Sequence, residues 1–158
     1  MKREITLNNE LTLSWPSGFH QMTDEEMKEA YRGDDSMHWG FWDKERHTVI
    51  MVLCKKYNPL AIKLTSQKKM VIKNEKMTRA MCSKNAYKFE FFFTHQLAGS
   101  IVGGFCYTYS VGEIRQAAKC VLVQRKNYIY NIACYGRAEN SPTDHELFDK
   151  VLDSVSFS

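Results

Sequence analysis

The segment IRQAAKCVLVQRKNYIYNIACYG, residues 114–136, constrains the fold more than any other part of the chain. Two runs rich in β-branched and aromatic residues meet at Lys126 and Asn127. A loop that short fixes both the antiparallel direction and the register of its strands. With Arg125 opposite Tyr128, Val123 faces Tyr130 and Val121 faces Ile132, which makes one apolar sheet face. Asn127 is the residue expected to take a positive φ in the turn. The same register sends Cys120 and Cys134 to opposite faces, so no disulfide can join them.

The strand before this hairpin is GGFCYTYS. Upstream, YKFEFFFTHQLAG has a helical spacing of Phe89, Phe92, Phe93 and Leu97, but its aromatic density favours a strand, and a strand is expected. At the start of the chain, EITLNNELTLSW alternates on either side of Asn8 and Asn9, the pattern of two short strands and a tight turn, halted by Pro16 and Gly18. A helix follows in QMTDEEMKEAYRG. Thr23 and Glu26 form a capping box, Met22 and Met27 a staple, and Gly33 the stop.

Residues 37–56 read as a second hairpin with Asp43 to Arg46 as its loop. That register puts Trp42 opposite His47, Trp39 opposite Ile50 and Phe41 opposite Thr48. From Pro59 to about Lys84 the pattern is helical, in two pieces divided near Ile72 to Asn74, with Met70, Met77 and Met81 on one face. The closing SPTDHELFDKVLDSVSF is a helix with Ser141 as cap, Pro142 in its first turn, and a stripe of Leu147, Phe148, Val151, Leu152 and Val155. With 158 residues and no linker, repeat or low-complexity stretch, one domain spanning 1–158 is expected.

A strand pair ending in WPSGF, an acidic helix, an aromatic hairpin, a GGF-YTY strand, a hairpin ending NYIYNIACYG and a terminal LFDKVLDSVSF helix together resemble the PsbP-like superfamily. That group includes a photosystem extrinsic subunit, a Ran-binding factor and small bacterial proteins. The resemblance implies an α+β fold: a single-domain α/β/α sandwich whose central, mainly antiparallel sheet has about six or seven strands, with helices on both faces. It also implies a protein partner, since relatives of this kind mostly bind other proteins and some act as dimeric adaptors; a homodimer is therefore among the expected arrangements. A fold alone does not assign that partner.

Charge singles out one segment. Residues 55–88 hold ten Lys or Arg and one acid, whereas 1–47 hold six basic and ten acidic groups. Lys68, Lys69, Lys73, Lys76 and Arg79 are the candidate anion contacts, suited to an acidic protein, nucleic acid or an anionic surface. Only Tyr57 and Tyr87 flank the segment, so stacking on bases is not offered. The bland alternative is a solvated helix face.

Catalytic chemistry finds no support in the spacing. His20, His38, His47, His95 and His145 are never closer than nine residues, and the five cysteines include no C-x-x-C pair. Neither a metal nor another cofactor is expected, and no catalytic residue is assigned. Gly99, Gly103 and Gly104 lack the Lys and helix of a phosphate loop and instead suit a tight connection or close strand approach. The free-thiol pattern, the absence of a signal-like apolar run in MKREITLNNELTLSW and the absence of a spanning segment predict a cytoplasmic protein.

The expected function is thus a non-enzymatic protein-binding or adaptor module. Trp39, Phe41 and Trp42 of the hairpin and Tyr107 and Tyr109 of the YTY strand are its candidate contacts. Anion binding through 55–88 is one alternative. A small ligand or substrate held in a cleft between sheet and helices is the other.

Overall fold

The computed structural model describes residues 3–30 and 37–158. The expected Gly33 helix stop lies outside the described residues. Strands β1 (Arg3–Leu7) and β2 (Leu11–Trp15) form the first hairpin, with Asn8 and Asn9 both at positive φ as their turn requires. A two-residue β3 (His20–Gln21) leads to helix α1 (Asp24–Ala30). Its capping box is reciprocal: Glu26 N–H donates to Thr23 Oγ1 at 3.2 Å and Thr23 N–H to Glu26 Oε1 at 3.0 Å.

Strands β4 (Met37–Asp43) and β5 (Thr48–Lys56) make the aromatic hairpin, in a register two residues from the expected one. Trp39 lies opposite Val52, Phe41 opposite Ile50 and Trp42 opposite Val49. The cause is local. The Asp43 carboxylate accepts from the backbone of Glu45 and Arg46, which keeps Asp43 as the last strand residue, and His47 enters the loop at a φ of 56°.

The helical stretch divides earlier than expected, into α2 (Pro59–Lys63) and α3 (Gln67–Met81). Ser66 begins the second helix by accepting from Lys69 N–H at 3.2 Å. The face α3 buries carries Met70, Val71 and Glu75, while Met77 and Met81 are exposed, so the three methionines do not form a core face.

Four long strands complete the main sheet: β6 (Lys88–Leu97), β7 (Ser100–Val111), β8 (Ile114–Arg125) and β9 (Tyr128–Arg137). Arg125 pairs with Tyr128, Val123 with Tyr130 and Val121 with Ile132, as the sequence requires. Lys126, at a φ of 54°, takes the left-handed turn position instead of Asn127. A short 3-10 turn at 138–140 then enters α4 (Ser141–Asp153). Asn140 occupies the cap position and Ser141 is already helical, so Ser141 does not cap α4. Strand β10 (Ser156–Phe157), absent from the sequence reading, ends the chain.

Seven strands run in the order β3-β4-β5-β9-β8-β7-β6, each antiparallel to its neighbours, and β1-β2-β10 form a small second sheet. One face of the main sheet, with Ile50, Val52, Val121, Val123, Tyr130 and Ile132, packs under the small sheet and α4. On the other face Phe105, Tyr107, Ala118, Cys120 and Leu122 meet Met70 and Val71 of α3. Cys120 and Cys134 belong to these two different layers. The result is the α+β arrangement expected, with a seven-stranded antiparallel sheet between helical layers.

A basic helix beside an open strand edge

Helix α3 is fixed at both ends. Gln67 Nε2 donates to the carbonyl of Leu122 at 2.8 Å, tying its first turn to β8. Toward its other end, buried Glu75 accepts two bonds from the Arg79 guanidinium and a third at 3.0 Å from Tyr87 O–H. Glu75 is the one acid between residues 55 and 88, and it is spent inside the fold. Arg79 is consequently engaged as an ion-pair partner. Lys68, Lys69, Lys73 and Lys76 are exposed on the outer faces of the helix.

This helix rests on β7 and β8 and leaves β6 largely uncovered. Val71 sits so close to β7 that a Cβ at Gly103 would come within 2.9 Å of its methyl, so the helix needs glycine there to settle on the sheet. Beyond that contact a cleft of about 600 Å³ opens, lined by Lys68, Val71 and Ile72 of α3 and by Phe92, Thr94 and Ile101 of the sheet. Ile101 is 73% exposed and Phe92 47% exposed. Phe92 is the outermost ring of a row that runs back under the helix: its centroid lies 6.4 Å from Phe105, which stacks at 5.6 Å on Tyr107.

Among the described residues no strand lies beyond β6. Proteins commonly guard such an edge with charge, proline or a bulge, because its free N–H and C=O groups invite another chain. Here Lys88, Glu90 and an irregularity between Phe89 and Phe91 guard the beginning of the strand. The remainder, FFFTHQL from 91 to 97, has no Lys, Arg, Asp, Glu or Pro.

The hairpin aromatics offer less surface than their sequence suggests. Phe41 is fully buried beneath Trp15, with centroids 4.4 Å apart, and Tyr107 is buried under α3, so neither has a face for a partner. Trp39 is half-buried against the core on the α4 side. Trp42 is half-buried on the opposite side, between the Lys44 ammonium at 4.6 Å and the His20 ring at 5.4 Å. Tyr109 is half-buried 5.7 Å from Tyr107. Sequence reasoning placed β6 correctly but missed Phe91, Phe92 and Ile101 as exposed groups. The available signal was three consecutive phenylalanines: strand side chains alternate, so a run of three cannot all face one core.

Titratable chemistry elsewhere is quiet. Burial pushes the Cys54 thiol up to about 11 and Cys106 up to about 12, and it raises Cys120 and Cys134 further, the opposite of what a nucleophilic thiol needs. Among the described residues no three His, Cys, Asp or Glu side chains converge as a metal site. A smaller cleft of about 320 Å³ lies between α4 and β2, lined by Trp15, Glu146 and Lys150 among others. No described helix is long and apolar enough to cross a membrane.

Element order, sheet topology and the helical layers define the PsbP-like fold. It is shared with the solution structure of cyanobacterial PsbP (CyanoP) from Synechocystis sp. PCC 6803, at a TM-score of 0.71 and 13% identity over 99% of this chain and 92% of that one. LpqN of Mycobacterium tuberculosis, described as involved in cell envelope biogenesis, matches at 0.63 and 9% identity over 100% and 91%. The Saccharomyces cerevisiae Ran-binding protein Mog1p matches at 0.62 and 10% identity over 98% and 94%. No protein-family model and no curated protein matches the sequence.

Proposed function

We propose that this protein is a non-enzymatic binding module for another protein, docking it on the surface formed by α3 and β6. The observation that carries the reading is the uncovered β6 edge with Phe92 and Ile101 exposed beside a 600 Å³ cleft. Exposed apolar groups gathered in one place on a folded chain favour an interaction surface over a solvated one. That a similar fold serves a Ran-binding protein agrees with partner binding as a use of this architecture, without transferring the partner. Five unpaired thiols, four of them buried, support a reducing, cytoplasmic setting.

Affinity capture from the source cell, run with wild type and with Phe92→Glu and Ile101→Glu, tests the reading. A specific protein recovered by wild type and lost with both variants is the expected result. Capture unaffected by either change sinks the reading.

A second reading, binding of an anionic surface or nucleic acid, is favoured by the exposed row Lys68, Lys69, Lys73 and Lys76. It requires retention of an oligonucleotide that falls steeply with salt. No retention at low ionic strength removes it.

A further inference from the structure

We infer that the partner at this surface is an acidic, extended polypeptide segment that adds to the sheet as a strand beyond β6 and sets alternate apolar side chains into the cleft beside α3. The inference rests on the protein-binding reading above and specifies the partner's chemistry and mode of docking.

The strand edge supplies the mode. Residues 91–97 form seven positions of an edge strand with no charge or proline to repel a neighbour. Main-chain pairing gives an added strand its affinity, and pockets for every second side chain give it selectivity. The cleft meets that second need on one face only. On the opposite face of β6, Phe93 lies under the Lys119 ammonium at 4.8 Å and His95 pairs with Asp153 of α4 at 2.9 Å, so beyond the exposed Phe91 that side is occupied. On the α3 side, Phe92 and Thr94 stand two residues apart beside Ile72 and Ile101, and side chains of an added strand would share their spacing.

Charge supplies the partner's sign. Lys68 lines the cleft, and Lys69 and Lys76 are exposed on the helix above it, while Lys73 lines a separate cleft on the other flank of α3 with Leu122 and Ile129. Glu75 cannot offset them outward, because Arg79 and Tyr87 hold it within the fold. Glu90 is the only acid on β6 and lies at its irregular end. Acidic side chains two residues before or after the apolar anchors, on the same face of the incoming strand, would therefore meet the Lys68 side of the cleft.

A second copy of this chain fits less well. Joining two β6 edges antiparallel needs a two-fold axis normal to the sheet, which puts both α3 helices on the same face. Their Lys68 flanks would then approach each other across the seam with like charge.

The test uses the whole protein and a short labelled peptide with Val at two central positions of one strand face, Glu two residues before and after them on that same face and Thr on the other face, with two controls: Lys in place of Glu, and a central Pro that removes a backbone donor. Fluorescence polarisation at low ionic strength is expected to show saturable binding of the Glu peptide about tenfold or more tighter than either control, equivalent to about 1.4 kcal/mol. Lys68→Glu should weaken it by a similar factor, and Phe92→Glu should abolish it. Both residues are surface groups, and circular dichroism checks that each variant is folded. Hydrogen exchange on wild type gives a readout independent of any variant: strand addition must slow the outward-facing amides of 91–97, those that do not donate to β7, whereas side-chain docking alone leaves them fast.

The inference is overturned if the Glu peptide fails to bind at millimolar concentration, binds without slowing those amides, or is matched by the Lys peptide. Displacement of the peptide by an equimolar single-stranded oligonucleotide overturns it in favour of nucleic acid. A concentration-dependent dimer abolished by Phe92→Glu overturns it in favour of a second copy. If the peptide fails while cellular capture still depends on Phe92 and Ile101, the binding reading stands and only the acidic-strand chemistry is lost. If capture also ignores both residues, both fall.

Discussion

Asp144 Oδ1 accepts from Arg46 Nη2 at 3.0 Å while its Oδ2 accepts from Thr48 Oγ1 at 3.1 Å, joining the first turn of α4 to the β4–β5 loop. The carboxylate is buried and the guanidinium one-third exposed, so losing either partner has unequal consequences. Arg46→Met leaves a buried charge with one hydroxyl for company; Asp144→Ala frees an arginine that can turn to water. Urea unfolding should show Arg46→Met destabilising by about 2 kcal/mol, below the roughly 3–5 kcal/mol of a fully buried pair because solvent reaches one side. Asp144→Ala should cost less. Equal losses would contradict this account.

Phe41 and Trp42 are adjacent in sequence and opposite in role. Phe41→Ala removes a buried ring stacked on Trp15 and should cost about 3–5 kcal/mol. Trp42→Ala, on the half-covered side, should cost clearly less, and its Lys44 contact should make the loss smaller at high salt. A reversed order in thermal or chemical denaturation would place the hairpin's core face wrongly.

Thiol labelling gives a direct reading of burial. Cys54, Cys106, Cys120 and Cys134 are buried with thiols pushed up, and Cys82 is half-exposed at the end of α3 with its thiol raised by burial to a lesser depth. Ellman's reagent on the native protein at neutral pH should modify Cys82 alone, and slowly. All five should react in denaturant, and a fast native thiol would refute the packing of the sheet layers.

His145 on α4 is held below its ordinary value by burial first and by the nearby Lys119 ammonium second. The unfolded chain then binds a proton at a higher pH than the folded one. This contribution to stability is complete above about 6.5 and is lost as pH falls from there toward the lowered native value. His145→Gln should flatten that acid-side decline in the unfolding midpoint. An unchanged slope would show that other groups govern it.

Legibility in the sequence followed how much freedom each connection left. The two-residue turn at Lys126 and Asn127 allowed one register for β8 and β9, and the pairing read from it holds at every position named. The longer 43–47 connection allowed two, and the Asp43 side chain selected the one that residue patterning could not see. A shift of two keeps each side chain on its own face. Phe41 was therefore open to assignment as buried, but which layers cover it is a tertiary matter. The lysine row was legible as charge, yet its pairing was not: Glu75 and Tyr87 meet only because the connection from α3 folds back to the start of β6. The cleft was hidden for the same reason. It exists because α3 crosses β7 and β8 and stops short of β6, and no periodicity within either element encodes that crossing.

The small sheet has a bearing on the order in which this protein can become itself. Strand β10 pairs Phe157 with Leu11 and Ser156 with Thr12, and Ser158 N–H donates to the Glu10 carbonyl at 2.9 Å. The β1–β2 hairpin thus leaves the ribosome well before the segment that closes its outer edge. Long-range closure of this kind slows folding and prolongs exposure of unpaired strands. A nascent chain stalled before residue 156 should leave β2 far more open to a protease than a chain that includes β10 does.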